Sequence, residues 1–201
     1  MEKYKVIDNL IDTTSLNILQ NYFVKEQDKL NWCYFEDVVK NESRITKTFA
    51  NPTHINTKIG DGFVISITDE YSIIDKNILL IIDTIKLNIQ SNINRKFLYE
   101  LRTKVNLNKP QIFLEQYIEK SIHTDTTVPH TSFIFYINTN NGCTLLYDSN
   151  GKRVIKKIDC IENRVLIFDG LIPHVGIPST NNDKCVINCN VVEKKDYTSL
   201  I

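Results

Sequence analysis

The chain has 201 residues, 42% hydrophobic, 24% charged and 9% aromatic, a globular composition that excludes a disordered, collagenous or membrane-embedded protein. Its 24 Lys+Arg balance 24 Asp+Glu, so nothing suggests that it holds nucleic acid or anionic lipid by bulk electrostatics. The most apolar run, Ile78–Ile82, is soon broken by Asp83 and Lys86, well short of the roughly 20 residues that span a bilayer. Met1-Glu2-Lys3-Tyr4-Lys5 does not lead into a secretory core. The expectation is one cytoplasmic domain over 1–201, with no membrane or nucleic-acid partner, helical and strand support in 1–95 and a strand-built core in 96–193. Cys33, Cys143, Cys160, Cys185 and Cys189 form no C-x-x-C pair, so buried free thiols are expected rather than a disulfide frame or zinc knuckle.

Tyr4-Lys5-Val6-Ile7-Asp8 reads as a short strand. Asp12-Thr13-Thr14-Ser15 then offers helix N-caps ahead of Leu16, Leu19, Tyr22 and Phe23 at helical spacing. Between Asn31 and Ile67, Trp32 to Phe35 looks strand-like, but Asn51-Pro52-Thr53 and Gly60-Asp61-Gly62 are turn signals, and the segment is expected to be mostly loop. Ser72 and Asp75 resemble a capping box before Ile78, Ile82, Ile85, Ile89 and Ile93, the face of a core helix.

After Asn94 the apolar period changes to two, with Phe97, Tyr99, Leu101, Thr103, Val105 and Leu107 on one face. Further strands are expected over Gln111–Tyr117, Ser132–Asn138, Thr144–Tyr147, Val154–Ile158, Arg164–Phe168 and Lys184–Val192. Asn140-Asn141-Gly142 and Ser149-Asn150-Gly151 punctuate them. So many short strands imply a mainly-β α+β fold, a sandwich or barrel with the N-terminal helices packed on one face.

His54, His123, His130 and His174 are the chain's histidines. In His123-Thr124-Asp125 an imidazole and a carboxylate two residues apart would share one face of an extended strand. His174 follows Asp125 by 49 residues (174 − 125), enough for several antiparallel strands to fold back. Two imidazoles and one carboxylate on one side of an ion form the facial arrangement of non-haem Fe(II) oxygenases. An H-x-D triplet alone arises by chance in roughly one chain in four, so its surroundings decide.

Those surroundings resemble the 2-oxoglutarate and Fe(II)-dependent dioxygenase superfamily, in its prolyl-4-hydroxylase-like branch. Ser132-Phe133-Ile134-Phe135-Tyr136-Ile137-Asn138 stands where that branch has a "YYLN" strand, and Asn141-Gly142-Cys143-Thr144-Leu145 where a "GGxL" segment is common. Asn163-Arg164-Val165-Leu166-Ile167-Phe168-Asp169 before Pro173-His174 looks like the approach to the distal histidine, and Lys184 follows His174 by ten positions (184 − 174). More weakly, Val6-Ile7-Asp8-Asn9-Leu10, Asn31-Trp32 and Leu101–Leu107 are similar to small members of the family found in bacteriophages, which would place the protein in a host cytoplasm.

The resemblance implies a double-stranded β-helix, a jelly-roll or cupin-like barrel. It also implies a hydroxylase that uses Fe(II), O2 and 2-oxoglutarate, released as succinate and CO2. Its partners would be 2-oxoglutarate and an unidentified protein, peptide or small-molecule substrate, with a prolyl residue the default. His123, Asp125 and His174 would ligate the iron. Lys184 would pair with the far carboxylate of 2-oxoglutarate, because a buried anion without a cation is costly; a solvated lysine beside Asp183 is the competing reading. Lys184, Val186, Asn188 and Asn190 share parity, so a polar row would line one face of the last strand. Val186 stands where the family has a small hydroxyl residue. Tyr136 matches a co-substrate-binding tyrosine, against a plain core tyrosine, and Tyr117 is a weaker candidate of that kind. Arg102 and Asn106 lie on the polar side of their strand, as substrate contacts or as a solvated face. His130 is a structural residue or a substrate-side contact, and His54 has no partner in sequence. A non-catalytic cupin-like binding module is the alternative, and a zinc hydrolase a distant third, for want of an H-E-x-x-H or comparable motif.

Overall fold

A computed structural model describes residues 3–35, 49–50, 62–67, 74–112 and 115–194. The strands in chain order are β1 (Tyr4–Ile7), β2 (Trp32–Phe35), β3 (Phe49–Ala50), β4 (Gly62–Ser66), β5 (Phe97–Asn108), β6 (Thr131–Tyr136), β7 (Cys143–Tyr147), β8 (Val154–Asp159), β9 (Arg164–Asp169), β10 (His174–Ile177) and β11 (Lys184–Glu193). The α-helices are α1 (Thr13–Gln20), α2 (Lys76–Ile93) and α3 (Glu115–Ser121). Among these residues no helix is long and apolar enough to cross a membrane.

The strands form two antiparallel sheets, an eight-stranded one in the order β1-β9-β6-β11-β5-β4-β2-β3 and a three-stranded one in the order β10-β7-β8. Alternation along the central strands of the larger sheet separates two apolar layers. Phe133, Phe135, Val165, Ile167, Cys185, Ile187, Cys189 and Val191 pack against α1 and α2. Ile134, Tyr136, Leu166, Phe168 and Val186 turn the other way and meet Leu146 and Ile158 of the smaller sheet. The helices therefore seal one face, and the space between the sheets is left for a site.

Local chemistry explains the helices. Asp12 caps α1 by accepting from the Ser15 N–H at 2.9 Å, and the helix widens into a π-type turn over Asn21–Lys25 that buries Phe23. Asp75 caps α2, accepting from the Asn77 N–H at 2.7 Å, while Ser72 lies outside the described residues. Ile78, Ile81, Ile82, Ile85 and Ile89 form the buried face of α2. Asn94 ends it in the left-handed region (φ 52°), where asparagine is tolerated better than most residues.

Four expectations need correction. Within the Asn31–Ile67 region, expected to be mostly loop apart from a strand-like Trp32 to Phe35, the described residues contribute β2, β3 and β4, with Phe63, Val64 and Ile65 paired beside β5 and buried; residues 36–48 and 51–61, with the turn signals Asn51-Pro52-Thr53 and Gly60-Asp61, lie outside the described residues. Of the strand expected over Gln111–Tyr117, Glu115–Tyr117 open the helix α3, built from Glu, Gln and Lys, good helix formers, Gln111 and Ile112 are in no strand, and residues 113–114 lie outside the described residues. His123-Thr124-Asp125 is no regular strand: His123 makes an isolated bridge and Asp125 lies in a bend. The alternation of β5 holds through Thr103, Val105 and Leu107, all fully buried, but Tyr99 and Leu101 are exposed. A register shift opposite Asn190/Val191 leaves Leu101 out of the pairing, as a bulge does.

One buried asparagine latches the N-terminal segment to the core. Asn163, in the left-handed region at φ 59°, donates through Nδ2 to the Ile11 carbonyl at 2.7 Å and accepts from the Ile11 N–H at 3.0 Å. Asn163→Ala should lower stability by about 2–4 kcal/mol, since it strands two buried partners and strains the turn. Asn163→Gly, which keeps the backbone freedom, should fall between Ala and the parent in urea unfolding; equal losses for both would show that φ plays no part.

Candidate metal centre

The site starts from main chain. His123 and His174 exchange hydrogen bonds, His123 N–H to the His174 carbonyl at 3.1 Å and His174 N–H to the His123 carbonyl at 2.9 Å. The bridge adds His123 to the outer side of β10, and directly opposed residues of an antiparallel pair project to the same face. The two imidazoles consequently lie side by side, ring centroids 4.7 Å apart. His174 opens β10 and pairs with Leu146 on β7.

Each ring has its tautomer set from behind. Nδ1 of His123 lies 2.8 Å from the Ser121 carbonyl, and Nδ1 of His174 lies 3.1 Å from the Ile172 carbonyl. A nitrogen against a carbonyl oxygen must carry the proton, which leaves Nε2 with its lone pair free for a metal. Asp125 sits between them, Oδ1 3.9 Å from His123 Nε2 and Oδ2 3.8 Å from His174 Nε2. The three ligand atoms lie within 4.8 Å of one another. Bonds of about 2.1 Å allow two ligands of one ion to stand up to about 4.2 Å apart, so small side-chain rotations suffice to close on an ion.

Four adjacent strands support this triad with a single row of inward-facing residues. Arg102 on β5 opposes Asn190 on β11, Asn190 opposes Ser132 on β6, and Ser132 opposes Phe168 on β9. The Arg102 guanidinium donates to Asp125 Oδ1 at 2.7 Å and Asn190 Nδ2 donates to Oδ2 at 2.9 Å. Phe168 meets the His174 ring edge to face at 4.9 Å. Burial alone would raise the Asp125 pKa, but His174, Lys104, Arg102 and the Asn190 hydrogen bond outweigh it, holding the carboxyl well below the usual range. Burial pushes His174 down to about 4 despite the pull of Asp125, so its imidazole is neutral at physiological pH, the form that ligates metal.

Farther along the inner face lies Lys184, only 3% exposed. Its ammonium donates to the carbonyls of Cys143 at 2.7 Å and Ile177 at 2.9 Å, a pair facing each other across β7 and β10. Gly176 lies beside it: a Cβ there would stand 3.5 Å from Nζ, in ordinary van der Waals contact. Tyr136 is fully buried, opposite Val186, and its hydroxyl donates to Thr144 Oγ1 at 2.7 Å. Lys104 and Asn188, and then Asn106 and Val186, fill the two rows between the triad and Lys184. The polar row expected on the last strand is present and faces inward.

Of the other expected residues, Arg102 supports the metal-facing carboxylate and also borders a cavity of about 470 Å³ lined by Leu101, Arg102, Asp125, Thr126, Thr127 and Asn190. His130 is buried 4% exposed and outside the ligand set. Tyr117 belongs to α3 and not to a strand, and its side chain lies outside the described residues, as does His54. Ser132 carries no expectation from the sequence beyond its strand; the polar pair Thr131-Ser132 opening an otherwise apolar strand was the available signal.

No family model and no curated protein matches this sequence. Solved structures do. A prolyl hydroxylase from Trichoplax adhaerens, in complex with a hypoxia-inducible factor peptide fragment, superposes with a TM-score of 0.66 at 15% identity, over 99% of this chain and 87% of that one. A viral collagen prolyl hydroxylase from Paramecium Bursaria Chlorella virus-1, in its 2-oxoglutarate complex, gives 0.56 at 13% identity, over 94% and 95%. A prolyl-4-hydroxylase from Pseudomonas putida gives 0.60 at 12%, over 94% and 91%. The chain has the double-stranded β-helix fold of the prolyl-hydroxylase-like 2-oxoglutarate and Fe(II) oxygenases.

The Phe168 contact can be tested without any ligand. Phe168→Leu should cost about 1 kcal/mol in urea unfolding, the edge-to-face contribution, and Phe168→Ala about 3–5 kcal/mol through the cavity it leaves. Equal losses would mean that the aromatic contact, and not packing volume, decides there.

Proposed function

We propose that the chain is a 2-oxoglutarate-dependent Fe(II) dioxygenase that hydroxylates a C–H bond of its substrate. The observation that carries this reading is the convergence of His123, Asp125 and His174, with both Nε2 lone pairs facing one carboxylate. Two imidazoles and one carboxylate suit Fe(II) and leave its remaining positions open to small ligands. Bound together, the metal and 2-oxoglutarate would supply the oxidising chemistry that turns O2 and 2-oxoglutarate into succinate and CO2, one oxygen atom going into succinate and the other into the new hydroxyl of the substrate.

The chain's residues supply the rest. His123, Asp125 and His174 hold the metal. Lys184 is the anchor for the far carboxylate of 2-oxoglutarate: a buried ammonium held by two carbonyls and the neutral Cys160 thiol, with no carboxylate among the described residues in ion-pair contact, is an incomplete electrostatic arrangement that an anion completes. Thr144, whose hydroxyl accepts from Tyr136, keeps its own proton to donate, and faces inward from β7 beside Gly176. It takes over the hydroxyl role that Val186 lacks. Tyr136 acts by orienting Thr144. The cavity beside Arg102, Thr126 and Thr127 admits the substrate. A prolyl residue of a peptide or protein is the substrate favoured by the fold's neighbours, one of which is described with a peptide bound. A binding module without turnover would have no use for the buried Lys184 cation.

Anaerobic titration with Fe(II) and 2-oxoglutarate should give a metal-to-ligand charge-transfer band in the wild type and none in His174→Ala. Lys184→Ala should need at least about ten-fold more 2-oxoglutarate for half-saturation, in line with loss of a charge-assisted contact, and Thr144→Val a smaller increase. In air, the wild type should release succinate slowly without added substrate. Absence of the band in the wild type would refute the reading.

A further inference from the structure

His123, His174 and His130 share one local device: Nδ1 of each lies against the carbonyl two residues earlier, for His130 that of Val128 at 2.7 Å. In the first two the free Nε2 turns to the metal position. In His130 it is occupied, 3.0 Å from Ser132 Oγ. The direction of every bond beyond that point is forced. Nδ1 carries the His130 proton, so Nε2 is an acceptor and Ser132 donates to it. The Ser132 oxygen then accepts from Asn190 Nδ2 at 2.8 Å, and the second Nδ2 proton goes to Asp125 Oδ2 at 2.9 Å. On its other side Asn190 Oδ1 accepts from Arg102 at 3.3 Å. A flipped Asn190 amide would point an oxygen at both Asp125 and Ser132 and its NH2 group at a guanidinium, so only one orientation survives.

We propose that His130, Ser132 and Asn190 are positioning residues that fix the Asp125 carboxylate for metal binding, an inference that rests on Asp125 being a ligand. The need for it is local. Asp125 lies in a bend with no ladder partner, so side-chain bonds must hold its carboxylate in place. The far end of the chain is anchored: the Gly170 N–H donates to the His130 carbonyl at 2.9 Å, and a Cβ at position 170 would fall on the His130 ring. Outer hydrogen-bond partners of ligands commonly govern metal affinity about 10–100-fold.

Cobalt(II), followed by its visible absorption in the folded full chain, reads this without turnover. Ser132→Ala should weaken cobalt binding about ten-fold, and Ser132→Thr, which keeps the hydroxyl, should stay within about two-fold of wild type. His130→Phe keeps the ring over Gly170 but removes the acceptor, and should weaken binding at least about three-fold. Because both act through one chain, the Ser132→Ala/His130→Phe double variant should bind no more weakly than Ser132→Ala. Wild-type affinity in either single variant, or multiplicative losses in the double, would overturn the proposal while leaving the iron assignment standing. A wild type that binds no cobalt would overturn both. Should Ser132→Ala fail to fold, His130→Phe against Ser132→Thr carries the same decision.

Discussion

The paired hydrogen bonds between the backbones of His123 and His174 bring together residues 51 positions apart (174 − 123) and set both imidazoles on the inner face of the smaller sheet. Everything else at the centre presupposes that bridge. Without it Asp125 would hold one neighbour instead of two, and the carbonyls of Ser121 and Ile172 would orient rings that no longer faced a common point. A side-chain contact could slip by a rotamer. A reciprocal backbone pair cannot slip without moving a strand.

The bridge works because the opposite sheet presents a matching surface. Arg102, Asn190, Ser132 and Phe168 form one row across β5, β11, β6 and β9, each contributing something different: charge, a directed amide, a hydroxyl, an aromatic edge. Moving along the same strands, the polar residues give way to Lys184, tied to the smaller sheet by two carbonyls. The space between the sheets is thus graded from a metal-holding end to a cationic end. The α2 isoleucines and Phe133 on the reverse face keep that row rigid, because packed interiors leave little room for local shifts.

Much of this was legible in the residues. The parity of Lys184, Asn188 and Asn190 and the apolar face of α2 each have a period that physics ties to a direction. What escaped the sequence depended on pairing. Nothing local in Val64 or Ile65 announces an edge-side strand in a stretch crowded with turn residues. Gln111–Tyr117 followed the alternating stretch that became β5 and read as another strand, although Glu115–Tyr117 open a helix whose composition favours it. His123 and Asp125 share a face as expected, yet through a bridge and a bend and not along a strand. The bond of Asn190 to both Ser132 and Asp125 required the register of β11 on β6 and the placement of the bend at Asp125, which no single window of sequence contains.

Anomalous diffraction at the iron edge from crystals grown with Fe(II) under anaerobic conditions tests the central claim most directly. The account predicts one iron peak between the two sheets, about 2.1 Å from His123 Nε2, His174 Nε2 and one Asp125 oxygen, with Asn190 still donating to that carboxylate. Iron bound elsewhere, or the two imidazoles turned away from each other around an empty centre, would contradict it.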